Sequence, residues 1–339
     1  MDKMHEQNER DLNKALRHLS AVYSRQERQL KAILSAVNEI IGEEAKTAYD
    51  AIKAAKNDDE KRDAKNKYLR LVRKTVTKDA RVLALISRAA KNAFTINQQA
   101  AEYANGYAVA VYARSFNEQS KGFRKIDKGF IVQEASEEDV RRVGAVADVQ
   151  RVLNKRKDTA YTAANIKRGL IVGATLALPL SRIISRTAAT TAKRNQTVAE
   201  EHAYTVFSWA ENEGMIDAAE RAAILGIESK KKWIATLDNR TRHSHALLDQ
   251  KAIPLDGIFD NGLKFPRDTD GDPSEWVGCR CAMSIVGQEV AIDERAARRG
   301  SVSGRVTERE SFAGTQSERV GNMSYVEWFE TNGRGKGGD

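Results

Sequence analysis

Between Asp11 and about Ala55 the apolar residues recur at steps of three and four: Leu12, Leu16, Leu19 and Val22, then Leu30, Ile33, Leu34, Val37, Ile40 and Ile41. Such steps line one face of an α-helix, and Lys14, Arg17, Arg25, Arg28, Lys31 and Glu39 fall on the other face. The pattern predicts a long amphipathic helix with Gly42 as the point where it weakens or bends. The charged stretch KNDDEKRDAKNKY, residues 56–68, has no core spacing and reads either as exposed helix or as a connector. A second stripe follows through Leu69, Val72, Val76, Val82, Leu85 and Ile86, so the first part of the chain reads as a long α-hairpin or an extended bundle. Most of that stripe reads as core packing, and its narrow seam with charged flanks also suits docking to a helical partner.

Residues 98–120 keep a helical pattern, whereas 120–133, SKGFRKIDKGFIVQ, read as a loop with a short strand. Ser136 is placed to cap a further helix, with Glu137, Glu138 and Asp139 in the first turn where the helix dipole favours negative charge. Helical pattern then continues to about Gly226. Beyond it the texture changes. KAIPLDGIFDNGLKFPRDTDGDPSEW is dense in Gly, Pro, Asp and Asn, with short apolar pairs between turn signals. The last segment starts with a helix-like basic run, DERAARRG, passes through a Ser/Gly/Arg-rich linker, and ends with Tyr325, Trp328 and Phe329 as an apolar anchor. The predicted fold class is therefore mainly α: long N-terminal helices, then a compact α+β C-terminal subdomain with short strands and an extended tail. The expected divisions are 1–132, 133–290 and 291–339, with the polar and cysteine-bearing core at 230–290.

Composition sharpens this picture in three places. Only 4 prolines occur in 339 residues, and three of them (Pro254, Pro266 and Pro273) share one short window, which leaves the region before it free to be helical. The net charge of +9 and isoelectric point near 9.4 suit contact with nucleic acid or an acidic protein surface, although the interleaving of both signs makes solvated helix faces the first reading. The 2 cysteines exclude a disulfide framework and point to a reducing compartment. The polar start has no signal-peptide core, and the longest apolar run, GLIVGATLALPL at 169–180, is shorter than the roughly 20 residues a membrane span needs. That run reads as a buried helix, and no transmembrane segment is expected.

Candidate chemistry gathers where the scarce residues gather. His243 and His245 sit in TLDNRTRHSHALLDQ, and Cys279 and Cys281 in EWVGCRCAM. In strands, residues i and i+2 point the same way about 6.5–7 Å apart. Two such pairs can converge as His243, His245, Cys279 and Cys281 around zinc, provided Ser244 and Arg280 point away. The spacing of one intervening residue departs from ordinary zinc pairs, and the alternative is that both cysteines are small buried hydrophobes.

Catalysis is a second possibility: His245 with Asp238 or Asp249 as an acid–base pair, or Cys279 as a nucleophile. Against it stands a polar turn network in which Asp238 caps the following segment and Arg242 makes bidentate bonds to a carboxylate. That network is the preferred reading, so an enzyme is left open but is not favoured. The alternating Asp268, Asp270 and Asp272 fail the calcium-loop pattern, because Pro273 and Cys279 fall where glycine and glutamate are required, and they read as an acidic turn. No glycine-rich phosphate loop is present.

Taken in order, these boxes resemble a known family. KKKWIATLDNRTRHSHALLDQKAI is similar to the W-x-x-x-x-D-x-R-T-R-x-x-H core of the Mu F-like minor head proteins of tailed phages, and FPRDTDGDPSEWVGCRCAM resembles their later Cys-Arg-Cys box. The matching positions are Trp233, Asp238, Arg240, Thr241, Arg242, His245, Asp268, Pro273, Glu275, Cys279, Arg280 and Cys281, and YVEWFETN at 325–332 resembles the tail of the family. Two departures stand out: many relatives carry Cys-x-x-Cys where this chain has Thr241 and Ser244, and glycine where it has Gln250. The resemblance implies a virion protein assembled in the bacterial host cytoplasm and sitting near the portal vertex of the head. Its implied partners are the portal protein, the major capsid protein and packaged double-stranded DNA. It also leaves room for a toxin-like effector, a nuclease or a nucleotide-modifying transferase, delivered with the DNA.

Overall fold

A computed structural model of the chain describes residues 2–149, 159–287, 294–298, 317–321 and 323–333. Its long helices are α1 (Asp2–Ser35), α2 (Val37–Ala54), α3 (Asp58–Lys78), α4 (Ala80–Ile126), α5 (Glu137–Val149), α6 (Thr159–Thr175) and α7 (Leu180–Ile224). There follow β1 (Lys230–Ile234), α8 (His243–Leu247), β2 (Ala252–Pro254), α9 (Pro273–Trp276), β3 (Ala282–Val286), β4 (Glu294–Arg298) and β5 (Ser317–Gly321). The short helix α10 (Tyr325–Trp328) runs into a π-helical turn, Phe329–Gly333. This is the mainly α chain with a small C-terminal sheet that the patterning predicts.

The chain divides into two compact units, each gathered from separate stretches of sequence: Arg10–Asn105 with Arg151–Ala203, and Met1–Glu9 with Gly106–Gln150 and Tyr204–Asp339.

In the all-helical unit Leu12, Leu16, Leu19 and Val22 pack with Tyr23, Ile96 and Ala203, while the rest of the first stripe and the second stripe face another core. Leu30, Leu34, Val37 and Ile41 pack with Tyr68, Val72 and Val76 of α3, Val82 and Ile86 of α4, Ile166 and Leu170 of α6, and Ile183 and Ile184 of α7. The single long helix expected at Asp11–Ala55 is two, broken at Ala36 and not at Gly42, which lies inside α2. The charged stretch 56–68 is mostly exposed helix. Asn57 starts it, its side chain accepting from the Glu60 N–H at 2.8 Å while Glu60 accepts from the Lys56 N–H at 2.8 Å, a reciprocal cap.

Of the apolar run 169–180, read as a buried helix, Leu170, Gly173, Ala174 and Leu180 are buried where α6 meets α7, while Val172 and Leu176 are exposed. A Cβ on Gly173 would come within 2.7 Å of Ile183, so glycine is what permits that approach. The run then turns through Ala177, at φ 50, and Pro179 into α7, and Tyr68 donates its hydroxyl to the Leu178 carbonyl at 2.7 Å. Among the described residues no helix is long and apolar enough to cross a membrane.

The other unit carries the sheet. Here α4 runs to Ile126, so the first half of the segment 120–133, expected as a loop, is helix. Phe116 and Phe123, two turns apart, are both buried, and Phe123 meets Phe130 edge-on at 5.9 Å. Residues 127–136 contain no strand. Ser136 caps α5 as expected: the Asp139 N–H donates to its hydroxyl at 3.2 Å, and Asp139 accepts from the Ser136 N–H at 2.8 Å. Asp139 is also bound by Arg221 of α7 at 2.7 Å.

Strand order is β2-β1-β3, all antiparallel, with Trp233 opposite Met283 and Lys231 between Ile253 and Ile285. The basic segment Glu294–Arg298, which reads as helix-like, is a strand. Pairing with β5, Ala296 opposite Arg319, satisfies its backbone groups, which a five-residue helix cannot do internally. The Ser/Gly/Arg-rich linker lies outside the described residues.

Candidate functional site

β1 delivers Trp233, fully buried, beneath the short helix α8. The indole meets the His245 ring edge-on at 5.1 Å and the Phe259 ring edge-on at 5.1 Å, so His245 is fixed by packing before any polar contact is counted. From β1 the chain turns at Asp238, whose carboxylate accepts from the Arg240 N–H at 2.9 Å and from the Thr241 hydroxyl at 3.3 Å. Arg242 then leads into α8.

The expectation that His243 and His245 share a strand face is corrected here. Both lie on a helix, where two residues subtend about 200°. His243 is exposed and His245 is buried, so His243 is not part of the polar cluster.

The second box arrives through α9. Asp272 caps that helix, accepting from the Ser274 N–H at 2.7 Å, with Pro273 at its first position. Gly278 follows at φ 70, a left-handed conformation that suits glycine, and turns the chain so that the Cys279 N–H bonds the Trp276 carbonyl at 3.1 Å. Cys279 and Cys281 precede β3 and are not within it.

Their sulfurs lie 3.6 and 3.5 Å from Nδ1 of His245, and all three donor atoms lie within 4.8 Å of one another. On the other side of the ring, Nε2 faces a Glu275 carboxylate oxygen at 3.0 Å, and the same oxygen accepts from the Ser244 hydroxyl at 2.9 Å. Glu275, not Asp238 or Asp249, is therefore the carboxylate partner of His245.

The two thiols share their electrostatics. A hydrogen bond from Cys281, and then the His245 ring, holds the Cys279 thiol well below the usual thiol range. That same bond, with burial, pushes Cys281 well above it.

Arg280 points away from the sulfurs and pairs with buried Asp238 through both guanidinium nitrogens, one at 2.8 Å. The bidentate partner of a carboxylate is thus Arg280. Arg242 instead donates to two backbone carbonyls at the end of α9, Glu275 at 3.3 Å and Val277. Thr241 binds back to the Thr236 carbonyl, and Thr236 in turn binds the Arg280 carbonyl. Arg240 is exposed and contributes its backbone N–H. Asp268 stands apart from the cluster: it is buried in its own turn, accepting from the Lys264 N–H at 2.9 Å and the Asp270 N–H at 3.1 Å. Next to it Arg267 reaches Thr205 of α7 at 2.9 Å.

Tyr325, expected as a tail anchor, has a second part that its sequence does not announce. Its hydroxyl donates to the Asp238 carbonyl at 3.1 Å and its N–H donates to the Asp249 carboxylate at 2.7 Å. Trp328 is buried beside it, while Phe329 stays 40% exposed.

Comparison with known proteins places this geometry. Residues 160–284 match the family described as Phage Mu protein F like protein, a stretch that runs from α6 to within β3. A curated relative, NAD(+)--arginine ADP-ribosyltransferase EFV of Enterococcus faecalis (strain ATCC 700802 / V583), is 30% identical over 175 residues, covering 50% of this chain and 34% of the relative. The chain thus spans about a third of the length of that relative. No solved structure matches. The resemblance carried by the Trp233–His245 and Cys279–Cys281 boxes is borne out, since both lie within the matched residues 160–284.

Proposed function

We propose that this chain is a minor head protein of a tailed bacteriophage, resident in the virion and assembled in the host cytoplasm. The observation that carries the reading is the family match over residues 160–284, which takes in the whole constellation from Trp233 to Cys281. In this reading the polar constellation is a brace, not a reaction centre. Asp238 with Arg280, and Arg242 with the end of α9, hold the two boxes together, while the buried thiols and His245 leave a substrate little to reach.

The long helices give the surface for portal or major capsid protein. The net charge of +9 suits a protein that lies close to packaged DNA. Direct DNA contact predicts affinity that falls steeply as salt rises. The deciding experiment is purification of procapsids: the chain co-purifies with portal and capsid proteins, and its absence from those particles sinks the reading.

A second reading, a transferase-type effector delivered with the DNA, draws on the name of the Enterococcus relative alone. Arg242→Ala separates the two. If Arg242 is a brace residue, the substitution costs about 1.5–3 kcal/mol of stability, the value of hydrogen bonds from a charged group, and lowers the melting temperature. Unchanged melting together with loss of NAD turnover would favour the enzyme.

A further inference from the structure

We propose that His245, Cys279 and Cys281 are three protein ligands of a zinc ion, with Glu275 as the group that positions the histidine. The proposal goes beyond the head-assembly reading and does not depend on it.

The geometry is that of a ligand set. A tetrahedral centre with zinc–sulfur bonds of about 2.3 Å and zinc–nitrogen bonds of about 2.0–2.1 Å sets nitrogen and sulfur about 3.5–3.6 Å apart. The distances from His245 Nδ1 to the two sulfurs are 3.6 and 3.5 Å. Nδ1 has a single lone pair and accepts well from one thiol at a time, whereas an ion set between the three atoms accounts for both distances together.

The tautomer agrees. A carboxylate only accepts, so the Glu275 contact at 3.0 Å requires the ring proton on Nε2. Nδ1 is then left with its lone pair, aimed between the sulfurs. A histidine ligand whose far nitrogen donates to a carboxylate is the arrangement that fixes ring orientation and strengthens the ligand. Glu275 is itself steadied by the Ser244 hydroxyl at 2.9 Å.

Donor chemistry selects the metal. Two thiolates and an imidazole favour zinc over hard cations such as magnesium or calcium. Burial adds a third line. The buried indole of Trp233 faces Cys281 as a hydrogen-bond donor and meets His245 in the same packed layer. A metal-bound thiolate keeps the negative charge that such a donor can use, which a neutral thiol offers only weakly. The protein supplies three ligands, and a solvent or other small donor completes the fourth position. His243 is too exposed to do so.

The test uses the full chain, purified without chelator. Elemental analysis is expected to find stoichiometric zinc. Replacement by cobalt is expected to give the near-ultraviolet thiolate-to-cobalt absorption of a tetrahedral thiolate site, lost in Cys279→Ser and Cys281→Ser. Glu275→Gln keeps an oxygen facing His245 and a group for Ser244, so it is expected to fold and to bind zinc about 10–100-fold more weakly. If the cysteine variants do not fold, the wild-type cobalt spectrum decides. Folded protein that takes up neither metal, or a cobalt form without thiolate absorption, overturns the site. Unchanged zinc affinity in Glu275→Gln overturns the role of that carboxylate.

Discussion

The hydroxyl of Tyr325 donates to the backbone carbonyl of Asp238, 87 residues earlier in the chain, at 3.1 Å. One aromatic side chain of the tail thus closes over the turn that orients both boxes of the site, and its N–H is held by Asp249 as well. Ser324 caps this short helix through a reciprocal bond with Glu327, so the tail enters with a defined geometry. Tyr325→Phe is expected to cost about 1 kcal/mol, the net value of one hydrogen bond, and Tyr325→Ala about 3–5 kcal/mol, as for a buried aromatic. Thermal melts of the two variants check the order; equal, negligible effects would mean that the tail does not hold the turn.

Asp238 and Arg280 form a bidentate pair in which the carboxylate side chain is 4% exposed and the guanidinium 13%. Removing one partner leaves the other charge buried without compensation, so Asp238→Ala and Arg280→Ala are each expected to cost about 3–5 kcal/mol. The double variant is expected to lose much less than the sum, because the uncompensated charge is then gone. A double-mutant cycle in denaturant measures this, and strict additivity would show that the pair is not coupled.

Gln250 sits at φ 62, where a side chain is strained, in the link that bonds its N–H to the Trp233 carbonyl at 2.8 Å. Glycine, which the family resemblance leads one to expect at this position, would suit that backbone. Gln250→Gly removes a left-handed penalty of about 1–2 kcal/mol. It adds about 0.5–1 kcal/mol of chain entropy to overcome on folding. A net stabilisation of about 0.5–1 kcal/mol is expected, read as a raised midpoint in urea; a lowered midpoint would show that the glutamine side chain makes contacts worth more than the strain.

Glu213 on α7 is raised from 4.5 to about 6, first by burial and then by the neighbouring Asp217. A carboxyl whose folded value is the higher one binds more protons folded than unfolded between those two values. Stability therefore falls as pH rises through that window and stays reduced above it. Keeping Glu213 ionised costs about 2 kcal/mol at neutral pH. Glu213→Gln retains an oxygen for the hydrogen bond with Trp209 and is expected to stabilise the protein by about that amount at pH near 7, with little effect near pH 4. Melting curves at the two pH values compare them, and a gain that does not depend on pH would mean that ionisation is not the cause.

From residue order alone came the helical stripes, most of which pack in a core, the change to short strands after Gly226, the cap at Ser136 and the resemblance of the two boxes. All of these depend on local periodicity or on spacing along the chain, which covalent geometry imposes on any sequence. Even His243 belongs here in a sense: its exclusion from the cluster follows at once when α8 is a helix, but a segment of five residues is too short for periodicity to separate helix from strand.

What only the tertiary structure decided is partner choice. His245 faces Glu275 and not Asp238 or Asp249; Asp238 is taken by Arg280 and not by Arg242; and Tyr325 closes the turn. Each pair is separated by 30 residues or more, and several candidates of equal chemistry compete for each place. Which one arrives depends on the path of the chain through the Gly278 and Asp268 turns, and on the packing of Trp233 against His245 and Phe259.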